Sequence, residues 1–130
     1  MGRNAPGTKK QEMNKGEVWF VNFPLEEDQS KYISRPVVIL DIEGEEVLSV
    51  KTTKRDPRKK DPFDTPIIRW REAGLRFSST ARVSKTMLLD KSQFDFRIGT
   101  LNPYDLKTIQ DIYVALVTGT QEGCTAKQSS

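Results

Sequence analysis

The stretch SRPVVIL, residues 34–40, sets a guanidinium directly in front of a proline and four branched apolar residues. Arg35 therefore stands at the mouth of what must be a buried strand. Two roles are open to it: an anchor paired with Glu26, Glu27 or Asp28 of the preceding loop, or a working group. What the chain lacks bounds the work. It contains no histidine, the commonest general acid–base at neutral pH and the commonest zinc ligand. Its one cysteine, Cys124, lies in a polar tail, where it builds no internal disulfide, no thiolate metal site and no convincing nucleophile. Neither a P-loop nor a dinucleotide fingerprint occurs. Acidic residues do not cluster at predicted strand ends, so a magnesium-dependent nuclease is poorly supported, and neither metal nor cofactor is expected. Arginine, lysine, serine and threonine remain, with a carboxylate in support. Such groups stabilise an anionic transition state and position a phosphate.

Charge distribution leaves the partner open. The net charge is only +3, but KTTKRDPRKK, residues 51–60, holds six basic residues against one aspartate. Arg69, Arg71, Arg76, Arg82 and Lys85 follow, whereas PLEEDQ (24–29) and DIEGEE (41–46) are acidic. A one-sided basic region suits nucleic acid; a solvated basic loop is the plain alternative. With 130 residues, 35% hydrophobic and 30% charged, one soluble globular domain is expected. No apolar run spans a bilayer, and residues 1–15 lack the apolar core of a signal peptide. A reducing cytoplasm is the expected compartment, with no membrane partner. Residues 1–15 read as a disordered basic extension, 16–118 as the folded domain, and 119–130 as a disordered polar tail.

The elements that must position these groups are mostly strands. EVWFVNF (17–23) is aromatic and β-branched. PVVILDI (36–42) is apolar on both faces, hence central, with Pro36 opening it. A tight turn at Glu43-Gly44 returns the chain as EVLSVKT (46–52). TPIIRW (65–70) reads as an edge strand, TARVSK (80–85) and TMLLD (86–90) as strands broken by a kink, and FRIGTL (96–101) as a short strand. The helix signal comes last. Asn102 suits an N-cap, Pro103 the first helical position, Asp105 the helix dipole and Gly119 the C-cap. Leu106, Ile109, Ile112, Tyr113 and Leu116 form its apolar stripe. The expected fold is mostly β, a small barrel with a C-terminal amphipathic helix.

Five blocks in order resemble toxins of the MazF/PemK/Kid family. KGEVWFVNF (15–23) resembles the family's opening strand, and SRPVVIL its Arg-Pro-Val-Val-Ile signature. VLSVKTTK (47–54) resembles the strand ending in a functional threonine, and ARVSKTMLLDK (81–91) the later strand pair. IGTLNPYDLKTIQDIYVAL (98–116) resembles the Gly-x-Leu segment leading into the terminal helix. The resemblance implies an SH3-like barrel of the CcdB/PemK kind, a homodimer, and metal-free, sequence-selective cleavage of single-stranded RNA through 2′-hydroxyl attack. It also implies growth inhibition neutralised by a cognate antitoxin, whose extended tail fills the RNA groove and whose complex with the toxin binds DNA.

By that resemblance Arg35 is the catalytic arginine. Its planar, bidentate donors would hold the phosphate and stabilise the charge that builds on the nonbridging oxygens, rather than donate a proton. Thr52 matches the functional threonine, binding the scissile phosphate or orienting the 2′-hydroxyl. Thr53 is its one-residue alternative, since neighbouring strand residues face opposite sides. Arg82 matches an arginine that the Kid branch uses as an acid. However, Ser84 stands where that branch has aspartate, and the branch's first-loop histidine is missing. The Arg/Thr pair of the MazF branch survives. Ser84 and Lys85 are expected on phosphate, as are Lys54, Arg55 and Arg69 of the basic region. Ser30 and Tyr32 belong to the loop over the site, where Tyr32 would stack on an unpaired base. Phe77, Trp70 and Trp19 read as core or interface. Two other readings stand beside the nuclease: a CcdB-like barrel that inhibits a protein such as DNA gyrase, and an inactive RNA-binding relative.

Overall fold

The structure, a computed structural model, describes residues 12–24, 27–28 and 30–119. The expected disordered segments lie outside these residues, except for residues 12–15 and Gly119. Six strands and one helix follow in order: β1 Glu17–Pro24, β2 Tyr32–Glu43, β3 Glu46–Thr53, β4 Asp64–Ile67, β5 Ser79–Asp90, β6 Phe94–Thr100 and α1 Pro103–Thr118. They form one antiparallel sheet in the order β4-β5-β3-β2-β1-β6.

Within the run PVVILDI, Val37 to Leu40 are buried on both faces, as their composition requires, whereas Asp41 is exposed. Val38 and Leu40 join Val18, Val50 and Val83 in the core beneath the helix. Val37 and Ile39 join Trp19, Val21 and Phe94 in a second core on the opposite face. Strand β2 begins at Tyr32 rather than at Pro36. Pro36 is tolerated inside it because the ladder to β3 starts only at Val37, so residues 32–36 pair with β1 alone. The expected kink near residue 85 does not split β5. It appears as a break in the β3–β5 ladder, whose pairs jump from Ser49–Met87 to Lys51–Arg82.

β4 stops at Ile67, three residues short of the expected end, because a long-range partner takes its next backbone donors. Ile68 and Arg69 donate their N–H groups to the Asp105 carboxylate at 3.1 and 2.8 Å. Asp105 thus does more than complement the helix dipole: it ties the first turn of α1 to the end of β4. Asn102 caps that turn by accepting from the Tyr104 N–H at 2.9 Å, and Gly119 closes the far end in the left-handed conformation. Ile109 is buried in the first core, with Leu106, Ile112, Tyr113 and Leu116 packed around it.

No strand ladder joins the edge strands β4 and β6 among the described residues. The turn after β4 closes the gap by packing on β6. A Cβ on Gly99 would lie 2.3 Å from the Ala73 carbonyl oxygen, and one on Gly74 would lie 2.6 Å from that of Ile98. Only glycine permits so close an approach at either position.

Candidate active site

The ends of β2 and β3 create the site. Thr52 is 6% exposed and donates its hydroxyl to the Pro36 carbonyl at 2.8 Å. This bond crosses from β3 to β2 where their ladder begins, and it fixes the backbone immediately after Arg35. Arg35 itself is exposed and makes no ion pair among the described residues. Of its candidate anchors, Asp28 instead accepts from the Ser30 hydroxyl at 2.6 Å and from the Ser30 N–H at 3.1 Å. Glu26 lies outside the described residues.

Arg35 and Thr52 line one pocket of about 510 Å³. Arg35, Lys54, Arg76 and Arg97 supply four cations, and Ser34, Thr52, Thr53 and Ser79 supply hydroxyls. Phe20, Phe77 and Phe96 supply rings. No carboxylate lines the pocket, and no group of three or more potential metal ligands occurs among the described residues. Its electrostatics favour an anion without offering a metal cage.

Glu17 organises the rim from below. Its carboxylate accepts from the Trp19 indole at 3.0 Å, the Asn14 N–H at 3.0 Å and Arg97 at 3.3 Å. Burial alone would push the Glu17 carboxyl up; the donors outweigh it and leave the group below its ordinary range. Arg97 is thereby tethered while its side chain stays 57% exposed.

The other expected residues divide. Thr53 and Lys54 line the pocket; Ser30, Tyr32, Arg55, Arg69, Arg82, Ser84 and Lys85 do not. Arg82 lies 3.8 Å from Asp61 and 3.5 Å from Asp64, and Ser84 donates to Asp61 at 2.6 Å. Burial raises the Asp61 carboxyl, but Ser84, the Phe63 N–H, Arg82 and Arg58 together lower it. The cluster pins the basic loop back against β5. Arg69 sits over the Tyr104 ring near the helix start, 5.6 Å from its centroid. Tyr32 is 64% exposed.

Reading the sequence alone missed Arg76, Arg97, Phe20 and Phe96 as site residues and assigned Phe77 to core or interface. Phe77 and Phe96 are 56% and 51% exposed in the pocket, which takes Phe77 out of the core. Trp19, at 2% exposure, is core as expected. The signal for Phe96 was hidden by register. Between the pairs Phe20–Phe96 and Val21–Phe94 the β1–β6 ladder shifts, leaving Asp95 as the extra residue. Phe94 enters the second core while Phe96 meets Phe20, their ring centroids 5.0 Å apart.

Fold and site define a small antiparallel β domain with a docked C-terminal helix and a cationic pocket at the strand ends. A family model described as the PemK-like, MazF-like toxin of type II toxin–antitoxin systems matches residues 14–116, and the chain belongs to that family. Several solved structures share the fold at low identity. A MazE–MazF complex from Deinococcus radiodurans superposes with a TM-score of 0.68 at 15% identity, covering 85% of this chain and 100% of that one. An endoribonuclease in complex with its cognate antitoxin from a mycobacterial species gives 0.62 at 16% identity, covering 83% and 96%. The Mycobacterium tuberculosis toxin MazF-mt6 gives 0.56 at 18% identity, covering 77% and 96%. A search of curated proteins found no match.

Proposed function

We propose that this toxin is an endoribonuclease that cuts single-stranded RNA at selected sequences without a metal, and that a cognate antitoxin restrains it. The observation that carries the reading is the meeting of Arg35 and Thr52 in one cationic pocket without carboxylates, in a chain of this family. In the reaction the 2′-hydroxyl oxygen attacks the adjacent phosphorus and loses its proton to solvent. The bond to the 5′-oxygen breaks, that oxygen takes a proton from water, and a 2′,3′-cyclic phosphate is left. Arg35 holds the nonbridging oxygens as their charge grows.

In this reading the two residues divide the labour. The Thr52 hydroxyl hydrogen is already given to the Pro36 carbonyl. Phosphate oxygens accept and do not donate, so in this state Thr52 has nothing to offer them. Its oxygen lone pairs can accept from the 2′-hydroxyl, which orients the nucleophile. Arg76, Arg97 and Lys54 extend the positive field along the strand.

The antitoxin would compete for the same pocket, and two copies of the chain would pair to cover apolar surface such as Ile68, Leu88, Val114 and Val117. No described helix is long and apolar enough to cross a membrane, and the cytoplasm is the proposed compartment. The test is product chemistry. An RNA cut by the wild type should yield 2′,3′-cyclic phosphate ends, and a single 2′-deoxy substitution at the cut site should block that cut. Cleavage that survives the deoxy substitution would rule out 2′-hydroxyl attack.

A further inference from the structure

The rings of the pocket have no role in the chemistry above, and their exposure needs a reason. Phe77 and Phe96 leave more than half of their surface in solvent, which costs apolar burial in a domain this small. Both are held in place: Lys54 lies 4.6 Å from the Phe77 centroid, and Phe20 packs on Phe96. Their surroundings suit a polyanion: these rings share a concave pocket with Arg35, Lys54, Arg76 and Arg97 and no carboxylate. Exposed rings among cations are the chemistry of single-stranded nucleic acid, where each base offers a π-face and each linkage a negative charge.

We infer that Phe77 and Phe96 form a stacking subsite for the unpaired base beside the scissile phosphate, and that Arg76 and Arg97 favour a base bearing carbonyl acceptors there. The inference rests on the nuclease reading and adds the recognition element to it. Arginine side chains only donate, so guanine, with O6 and N7, or uracil, with O2 and O4, satisfies them. Adenine meets them with ring nitrogens alone and brings an amino donor that finds no carboxylate in the lining.

The experiment uses the full chain and an RNA carrying its mapped cut sequence, made uncleavable by one 2′-deoxy residue at the cut. Affinity is read by fluorescence anisotropy for the wild type, Phe77→Ala and Phe96→Ala, with the base on each side of the cut present or replaced by an abasic residue. Phe77→Leu and Phe96→Leu keep the apolar bulk should the alanine variants melt. Each ring loss should weaken binding by roughly 5- to 150-fold with the base present. The loss should vanish with the abasic residue on one side. Guanine or uracil at that position should bind more tightly than adenine, and Arg97→Ala should narrow the gap. Equal losses with and without the base, or none, overturn the stacking subsite; tighter binding of adenine overturns the acceptor preference. A wild type that cuts RNA but shows no coupling sinks only this inference. A wild type that neither cuts nor binds RNA sinks the nuclease reading as well. Ring variants that change the oligomeric state and not RNA affinity would reassign the rings to a protein interface.

Discussion

Thr52→Val separates the structural and chemical duties of one hydroxyl. Valine keeps the shape and removes the donor, leaving the Pro36 carbonyl without the bond it accepts at 2.8 Å. A net hydrogen bond contributes about 1 kcal/mol. In a domain of roughly 100 residues that lowers Tm by about 4–8 °C. The chemical cost is larger. The bond fixes the chain beside Arg35, and the oxygen is proposed to orient the nucleophile, so single-turnover cleavage should fall by about 10²-fold. Thr52→Ser retains the hydroxyl and should recover most of both losses. Thr53→Val makes the internal control, because the Thr53 hydroxyl only accepts a 3.3 Å bond from the Arg55 N–H; its effect on rate should be several-fold at most. A Thr52→Val protein that melts a few degrees early yet cleaves at the wild-type rate would confine Thr52 to structure and refute the division of labour. Equal rate losses for Thr52→Val and Thr53→Val would show that the strand end, not the hydroxyl, matters.

Other expectations follow from the charges. Removing Arg82 as Arg82→Ala leaves the buried Asp64 side chain with the Arg58 N–H at 3.0 Å as its remaining donor, so calorimetry should show a loss below the roughly 3–5 kcal/mol typical of a broken buried pair. The Glu17 carboxyl lies below its ordinary value of 4.5 in the folded chain. The unfolded chain therefore binds its proton first, and the stability that Glu17 contributes is complete above that value and is lost as pH falls through the lower folded one. Urea melts across that range should show the fall, and Glu17→Gln should flatten it; an unchanged slope would remove Glu17 from the acid response. RNA affinity should fall with salt at a log–log slope near −1.4 if Arg35 and Lys54 meet phosphates while Arg76 and Arg97 hold the base, and near −2.8 if all four meet phosphates, at about −0.7 per contact on a single strand.

Local chemistry made the helix legible. Asn102, Pro103 and Gly119 mark its ends through groups within one turn, and the spacing of Leu106, Ile109 and Tyr113 marks its buried face. The double-sided burial of Val37 to Leu40 was equally plain, because a central strand must be apolar on both sides. Long-range partners were not legible. Asp105 reaches 36 residues back to end β4, and nothing near residue 70 announces it. Arg97 enters the pocket rim through Glu17, 80 residues away in the chain. Phe96 faces the pocket because of a ladder shift that alternation in FDFRIGT does not contain. For Arg35 the sequence left anchor and working group both open; the family pattern and the absence of a described ion pair favour the second.

The most direct measurement is cleavage of a long, mixed-sequence single-stranded RNA by the purified protein in EDTA, beside Arg35→Ala. If Arg35 stabilises the phosphorane, the wild type should give discrete fragments at one recurring sequence. The Arg35→Ala protein, folded by circular dichroism, should be slower by at least about 10²-fold, the typical cost of removing one preorganised donor from a transition state. Cleavage at the wild-type rate without Arg35 would contradict the assignment of the active site, and RNA left intact by the folded wild type would contradict the nuclease itself.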